Sequence, residues 1–154
     1  MPKISIITPT IRIDGLKLIE TALKKQDMQS FEWLIGSVQY PRRLDIPFVW
    51  IEDDFKEKIS TLNRIYNKMI KNAKAPLIVS WQDYTYAKSD TLQRFLTHFE
   101  QEPNVLVGAV GNKYKTVYPE IGAMIWKDPR ETDGEGTYNS VNFKQVEWNL
   151  ASIP

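Results

Sequence analysis

Short apolar runs rich in β-branched residues alternate along this chain with stretches whose apolar residues recur at helical spacing, and that alternation leaves few folds open. Lys3 to Thr8 (KISIIT) is nearly continuous in apolar character, as a strand covered on both faces is, and Pro9 then removes a ladder donor. Asp14 is placed to cap a helix running to about Lys25, with Leu16, Ile19, Ala22 and Leu23 on one stripe. Phe31 to Val38 (FEWLIGSV) predicts a second strand. Phe48 to Ile51 predicts a short third, closing on Glu52, Asp53 and Asp54, an acid cluster read as a solvated strand end. Ser60 or Thr61 starts a helix in which Leu62, Ile65, Tyr66, Met69 and Ile70 repeat at helical spacing.

That helix leads into the stretch from Ala73 to Phe95, which carries most of the functional signal. Pro76 opens a buried strand, Leu77 to Trp81, which breaks off into the polar turn Gln82-Asp83-Tyr84. Ser89-Asp90 then caps a third helix with Leu92, Phe95, Leu96 and Phe99 on one face. The helix stops before Pro103, and Val105 to Val110 (VLVGAV) is expected as a fifth strand. Strand, helix, strand, strand, helix, strand, helix, strand predicts an α/β fold: a mostly parallel sheet flanked by helices on both faces, in three α/β/α layers. From Gly111 onward the pattern weakens, with a further strand expected over Gly122 to Trp126, a turn at Asp128-Pro129-Arg130 and a mobile loop over Asp133 to Gly136.

At 154 residues with 42% hydrophobic content, the chain is expected to form one core and a single domain, 1–154. Twenty Lys and Arg against nineteen Asp and Glu leave a net charge of +1, so nothing draws the protein as a whole to nucleic acid or anionic lipid. The absence of cysteine excludes disulfides, thiolate nucleophiles and thiolate metal sites. The N-terminus MPKISIITPT has too short an apolar run for a membrane span or a secretory signal, so a cytoplasmic protein with no integral membrane segment is expected. No GxGxxG follows the first strand, no GxxxxGK[ST] loop is present, and neither GxSxG nor HExxH occurs. The lone histidine, His98, reads as a surface or satisfied residue.

Ligands of open α/β sheets bind beyond the carboxyl ends of the strands where the strand order reverses. If it reverses beside the first strand, Thr8-Pro9-Thr10-Ile11-Arg12 faces Trp81-Gln82-Asp83-Tyr84 across that crevice. One side offers hydroxyls, backbone N–H groups and a guanidinium; the other offers a carboxylate. Asp83 there holds a cation or a ligand hydroxyl, or else satisfies the backbone of its own turn. Arg12 pairs with phosphate or is solvated at a helix start. Tyr84, Tyr86, Trp81 and Trp126 are candidates for stacking on a base or sugar, with Tyr84 and Tyr86 the best placed because they lie in the turn. The mixture suits a diphosphate held between a cation on Asp83 and a positive side chain.

ISIITPTIR, then FEWLI after a helix, then LNRIYNKMIKNAKAPLIVSWQDY, resembles the nucleotide-sugar half of family 2 glycosyltransferases, over nearly the whole chain. The resemblance implies the GT-A (Rossmann-like) fold, a nucleotide-diphosphate sugar donor, an acceptor that is a glycan, lipid or protein, and a divalent metal, Mn²⁺ or Mg²⁺. It implies donor-binding roles for Thr8, Pro9, Thr10, Arg12, Asn67, Gln82, Asp83 and Tyr84, with Asp83 as the metal ligand. The chain departs from the family in having Gln82-Asp83-Tyr84 where two Asp are usual, Ser37-Val38 where an acidic pair reads the base, and Tyr66 where an Arg is usual. A phage-like branch with a QDY turn is the nearest match, through Gln82 to Tyr84, Trp126 to Arg130 and Glu147 to Pro154. That branch continues into the segment carrying the catalytic base, so a chain truncated at its C-terminus is expected, with Asp128 and Glu147 as further acidic candidates. The rival reading is a non-catalytic nucleotide-sugar or carbohydrate binding module. An α/β interaction domain with no small-molecule site is the third.

Overall fold

A computed structural model of the protein describes residues 1–53, 62–104, 106–108, 113–114 and 123–126. The chain divides into two compact units, Met1–Thr97 and His98–Pro154. In the first, β1 (Ile4–Pro9), β2 (Phe31–Ser37), β3 (Val49–Glu52) and β4 (Leu77–Ser80) form one sheet in the order β3-β2-β1-β4. Every neighbouring pair is parallel, as an α/β chain with crossover helices requires. Between β1 and β2 runs α1 (Leu16–Lys24), between β3 and β4 runs α2 (Leu62–Asn72), and α3 (Thr91–Gln101) follows β4.

The pleat sorts the core into two layers, because successive side chains on a strand face opposite sides. Ile4 and Ile6 of β1 and Trp33 and Ile35 of β2 pack with Leu16, Ile19 and Leu23 of α1 and with Leu92 and Leu96 of α3. Ile7 and Leu34 face the other way, onto Ile65 and Met69 of α2. The three-layer architecture read from the sequence is therefore the one observed. Gly36 lets α2 lie close on β2, since a Cβ there would meet the Ile65 side chain and the Met69 sulfur.

Two buried polar side chains tie together the segments on the α1 and α3 face of the sheet. Glu20 on α1, 2% exposed, accepts from the backbone N–H groups of Ile46 (3.0 Å) and Asp45 and from Lys17 Nζ (2.7 Å), fixing the segment ahead of β3. Gln26, just past α1 and 4% exposed, donates to the carbonyls of Lys88 (2.7 Å) and Ala22 (3.2 Å) and accepts from the Leu92 N–H (3.0 Å). Leu92 lies in the first turn of α3, where N–H groups have no partner within the helix, so a glutamine far away in sequence caps that helix.

Several sequence expectations shift here. Asp14 does not cap α1: Ile13–Gly15 forms a single 3-10 turn closed by the Gly15 N–H on the Arg12 carbonyl (3.0 Å), and Gly15 occupies the cap. Ser89-Asp90 gives way to Gln26 as the cap of α3, while Asp90 receives Arg94 Nε (2.7 Å). β2 ends at Ser37, β3 covers Val49–Glu52, and β4 stops at Ser80 with alternate residues exposed rather than buried throughout. Asp53 is buried beside Arg64 (3.6 Å), not solvated. Residues 106–108 of the expected fifth strand are not strand. In the second unit, β5 (Lys113–Tyr114) pairs antiparallel with β6 (Met124–Trp126), which is the strand expected near Trp126. Asp54, Ser60, Thr61, Gly122, Asp128 to Arg130, Asp133 to Gly136 and Glu147 to Pro154 lie outside the described residues. Among the described residues no helix is long and apolar enough to cross a membrane.

Candidate functional site

β1 has β2 on one side and β4 on the other, so the strand order reverses at β1. The segments leaving the carboxyl ends of β1 and β4 are brought together there. Both continue the sheet for one more bond before diverging: the Thr10 N–H reaches the Gly36 carbonyl (2.8 Å) and the Trp81 N–H reaches the Ile7 carbonyl (3.0 Å). Trp81 then turns its indole inward, its Nε1 donating to the Thr85 carbonyl (2.9 Å), which folds the 82–85 segment over β4.

The two segments meet in a hydrogen-bonded knot. Asp83, 6% exposed, accepts on Oδ2 from Thr10 Oγ1 (2.5 Å) and Arg12 Nε (3.1 Å), and on Oδ1 from Arg12 Nη2. Thr10 Oγ1 in turn accepts from the Arg12 N–H (2.8 Å), so one hydroxyl braces both the guanidinium's backbone and its partner. Arg12 keeps more than half of its side chain exposed, and the Tyr84 ring centroid lies 5.1 Å from the guanidinium carbon. The hydrogen bond and charge of Asp83 hold the Arg12 guanidinium above its already high usual pKa, so it is a permanent cation. Two of the five N–H donors of an arginine are spent on Asp83, and the rest remain for a ligand.

Of the residues singled out in the sequence, Thr10, Arg12, Asp83 and Tyr84 come together at this knot. Thr8 and Pro9 lie behind it in β1 and are buried, with Thr8 Oγ1 accepting from Trp33 Nε1 (3.0 Å); Thr8 therefore serves the core. Gln82 turns the other way, donating to Tyr66 Oη (2.7 Å), which also lies 3.0 Å from Ser80 Oγ. Asn67 is exposed on α2, and the structure does not join it to the knot. Tyr86 is drawn to Lys25, whose Nζ lies 3.3 Å from the phenol.

One contributor had gone unnoticed. A Cβ on Gly15 would stand 2.5 Å from the Asp83 carbonyl oxygen, so only glycine lets the turn after β1 approach this closely. Its signal in sequence is faint: a glycine before a helical stripe reads equally as a cap.

A divalent metal does not fit Asp83 as the chain arranges it. A carboxylate offers about four acceptor positions, and three here already receive N–H or O–H donors, two of them from a cation. Asp53 Oδ1 stands 3.6 Å from Arg64 Nη2, an ion pair longer than a hydrogen bond, and among the described residues no three of His, Cys, Asp or Glu cluster to hold a metal.

No family model matches the sequence, and no curated protein does. Two solved structures of S. aureus TarS, a teichoic acid glycosyltransferase, are similar to this chain. For TarS 1–349 the identity is 15% and the TM-score 0.49, covering 73% of this chain and 42% of that one. For the longer TarS structure they are 16% and 0.44, covering 73% and 25%. This chain spans less than half of either structure.

Proposed function

We propose that this protein binds a nucleoside diphosphate sugar at the junction of the β1 and β4 segments and serves as the donor half of a glycosyltransferase. The observation that carries the reading is the exposed guanidinium of Arg12, locked by Asp83 and Thr10 at the one point of the sheet where the strand order reverses. A diphosphate is the ligand such a group prefers, because planar N–H donors match phosphate oxygens in pairs. Tyr84, 63% exposed, offers a ring face to the base or the sugar.

In transfer, the bond between the anomeric carbon and the diphosphate oxygen breaks while a bond to an acceptor hydroxyl forms. The acceptor's proton passes to a base, and the diphosphate departs with the electron pair. Arg12 would act where negative charge grows, on the leaving oxygen, and a preorganised donor there lowers the barrier without reorganising during the step. Asp83 would act through Arg12, as a positioning residue.

Calorimetric titration of the full chain with a panel of uridine, guanosine, adenosine and thymidine diphosphate sugars tests the reading. Binding of at least one, weakened about tenfold or more in Arg12→Gln as expected for loss of a charge-assisted phosphate contact, is the expected result; silence toward the whole panel would refute it. The second reading, a binding module that does not turn over, is favoured by the presence, among the described residues, of one carboxylate alone at the knot. It predicts the same affinity with no sugar transfer or donor hydrolysis at high protein concentration.

A further inference from the structure

We infer that the Arg12–Asp83 pair takes over the place of a divalent cation, so that the site grips its diphosphate through a guanidinium and binds it without metal. This rests on the donor-binding reading above and concerns how the same site balances charge. A metal-bridged diphosphate needs carboxylate oxygens facing the ion, and a hard divalent cation such as Mg²⁺ binds through one or two carboxylates while keeping several waters. Among the described residues, the one carboxylate at the knot faces inward, 5% exposed as a side chain, and is covered by the fork of Arg12 and by the Thr10 hydroxyl. The charge of Asp83 is balanced by Arg12, and because Arg12 is the exposed partner, a divalent ion approaching the carboxylate would meet the guanidinium first.

What the knot presents outward is the cation itself. The free N–H groups of Arg12 point away from those held by Asp83, and the guanidinium is braced at its backbone by Thr10 and flanked by Tyr84. Carboxylate, arginine and hydroxyl thus form a built anion seat, whose charge is set by a residue that stays protonated at any working pH. Gln82 fits this arrangement. As a neutral amide bonded to Tyr66, it adds no negative charge beside the incoming phosphates.

The test uses the full chain and four free probes, the diphosphates of uridine, guanosine, adenosine and thymidine, titrated in EDTA and again with excess Mn²⁺. Free Mn²⁺ is followed in parallel by its paramagnetic resonance signal. The expected result is that at least one probe binds in EDTA with a Kd within about threefold of that in Mn²⁺. Protein with that probe should take up no more Mn²⁺ than the probe alone. Arg12→Gln should weaken binding about tenfold or more in EDTA, Arg12→Lys should recover part of it, and circular dichroism with urea midpoints shows that each variant is folded. A probe that binds only when Mn²⁺ is present, tightening tenfold or more over EDTA, would overturn the inference while leaving the donor-binding reading standing. Failure of every probe in both buffers, joined to silence toward the sugar panel, would bring down both.

Discussion

Gly15→Ala should destabilise this protein, against the direction normally expected of the change. Gly15 sits at φ −63°, ψ −22°, an ordinary helical conformation. There, alanine by itself would stabilise by about 0.4–1 kcal/mol, chiefly by restricting the unfolded chain. The added methyl, however, would lie 2.5 Å from the Asp83 carbonyl oxygen and 3.4 Å from the Asp83 carbonyl carbon and Cβ. Ordinary C···O approaches are about 3.3 Å or more, so one segment must retreat by roughly 0.8 Å. The atom in the way is backbone, which cannot swing aside as a side-chain tip can. Overpacking of this kind costs about 1–3 kcal/mol, leaving a net loss of roughly 0.5–2 kcal/mol once the unfolded-state gain is subtracted. With a urea slope of about 1–3 kcal/mol per molar, the midpoint should fall measurably. Tryptophan fluorescence reads it directly, and nucleoside diphosphate affinity should fall in the same variant because Arg12 is moved off Asp83. A midpoint that stays put or rises would mean that the two segments do not touch in solution, and the site built on that contact would fail.

Three further substitutions probe the frame behind the site. Trp33→Phe removes the donor to the buried Thr8 hydroxyl and should cost about 1–3 kcal/mol in urea unfolding. Gln26→Ala leaves the Leu92 N–H without its partner, while the Lys88 carbonyl keeps the Thr91 N–H (3.2 Å), and should cost about 1–3 kcal/mol, with early exchange of the Leu92 amide in hydrogen–deuterium measurements. Burial pushes the Glu20 carboxyl up, but Lys17 and the N–H groups of Ile46 and Asp45 outweigh it and hold it below its usual range. A depressed folded pKa means that Glu20 contributes stability above its unfolded value, about 4.3, and loses it as pH falls through the lower folded one. Thermal midpoints should therefore drop through that acid window in the native protein, and Glu20→Gln should be less stable at neutral pH with a flatter profile below it.

Much of this architecture was legible in the sequence because burial on both faces leaves a plain mark. KISIIT and FEWLI are apolar enough to be central strands, and β1 and β2 are the two middle strands of the sheet. That two strand ends carry a facing Arg and Asp follows once the strand order reverses beside the first strand, a condition the sequence leaves open and the order β3-β2-β1-β4 meets. What escaped depends on partners distant in the chain. Asp14 looks like a helix cap, yet the turn before α1 closes on its own backbone at Gly15. Asp90 looks like another, yet Gln26 reaches the amide first and Asp90 takes Arg94. VLVGAV has the composition of a strand, but residues 106–108 are not strand, and among the described residues nothing pairs with them. The grip of Arg12 on Asp83 was anticipated as a facing pair across a ligand, not as a direct bond. No spacing rule distinguishes the two.

The Gln26 bridge has a consequence for how the molecule comes into being. The segment carrying Arg12 runs into the front of α1, and Gln26, at the back of the same helix, holds the far end of the segment carrying Asp83. One strut therefore sets the span between two side chains that stand 71 positions apart along the chain. Neither half of the protein, cut between β2 and β3, contains both side chains. A split protein should regain its anion grip only when the halves re-associate, which makes the Arg12–Asp83 latch a natural reporter for complementation.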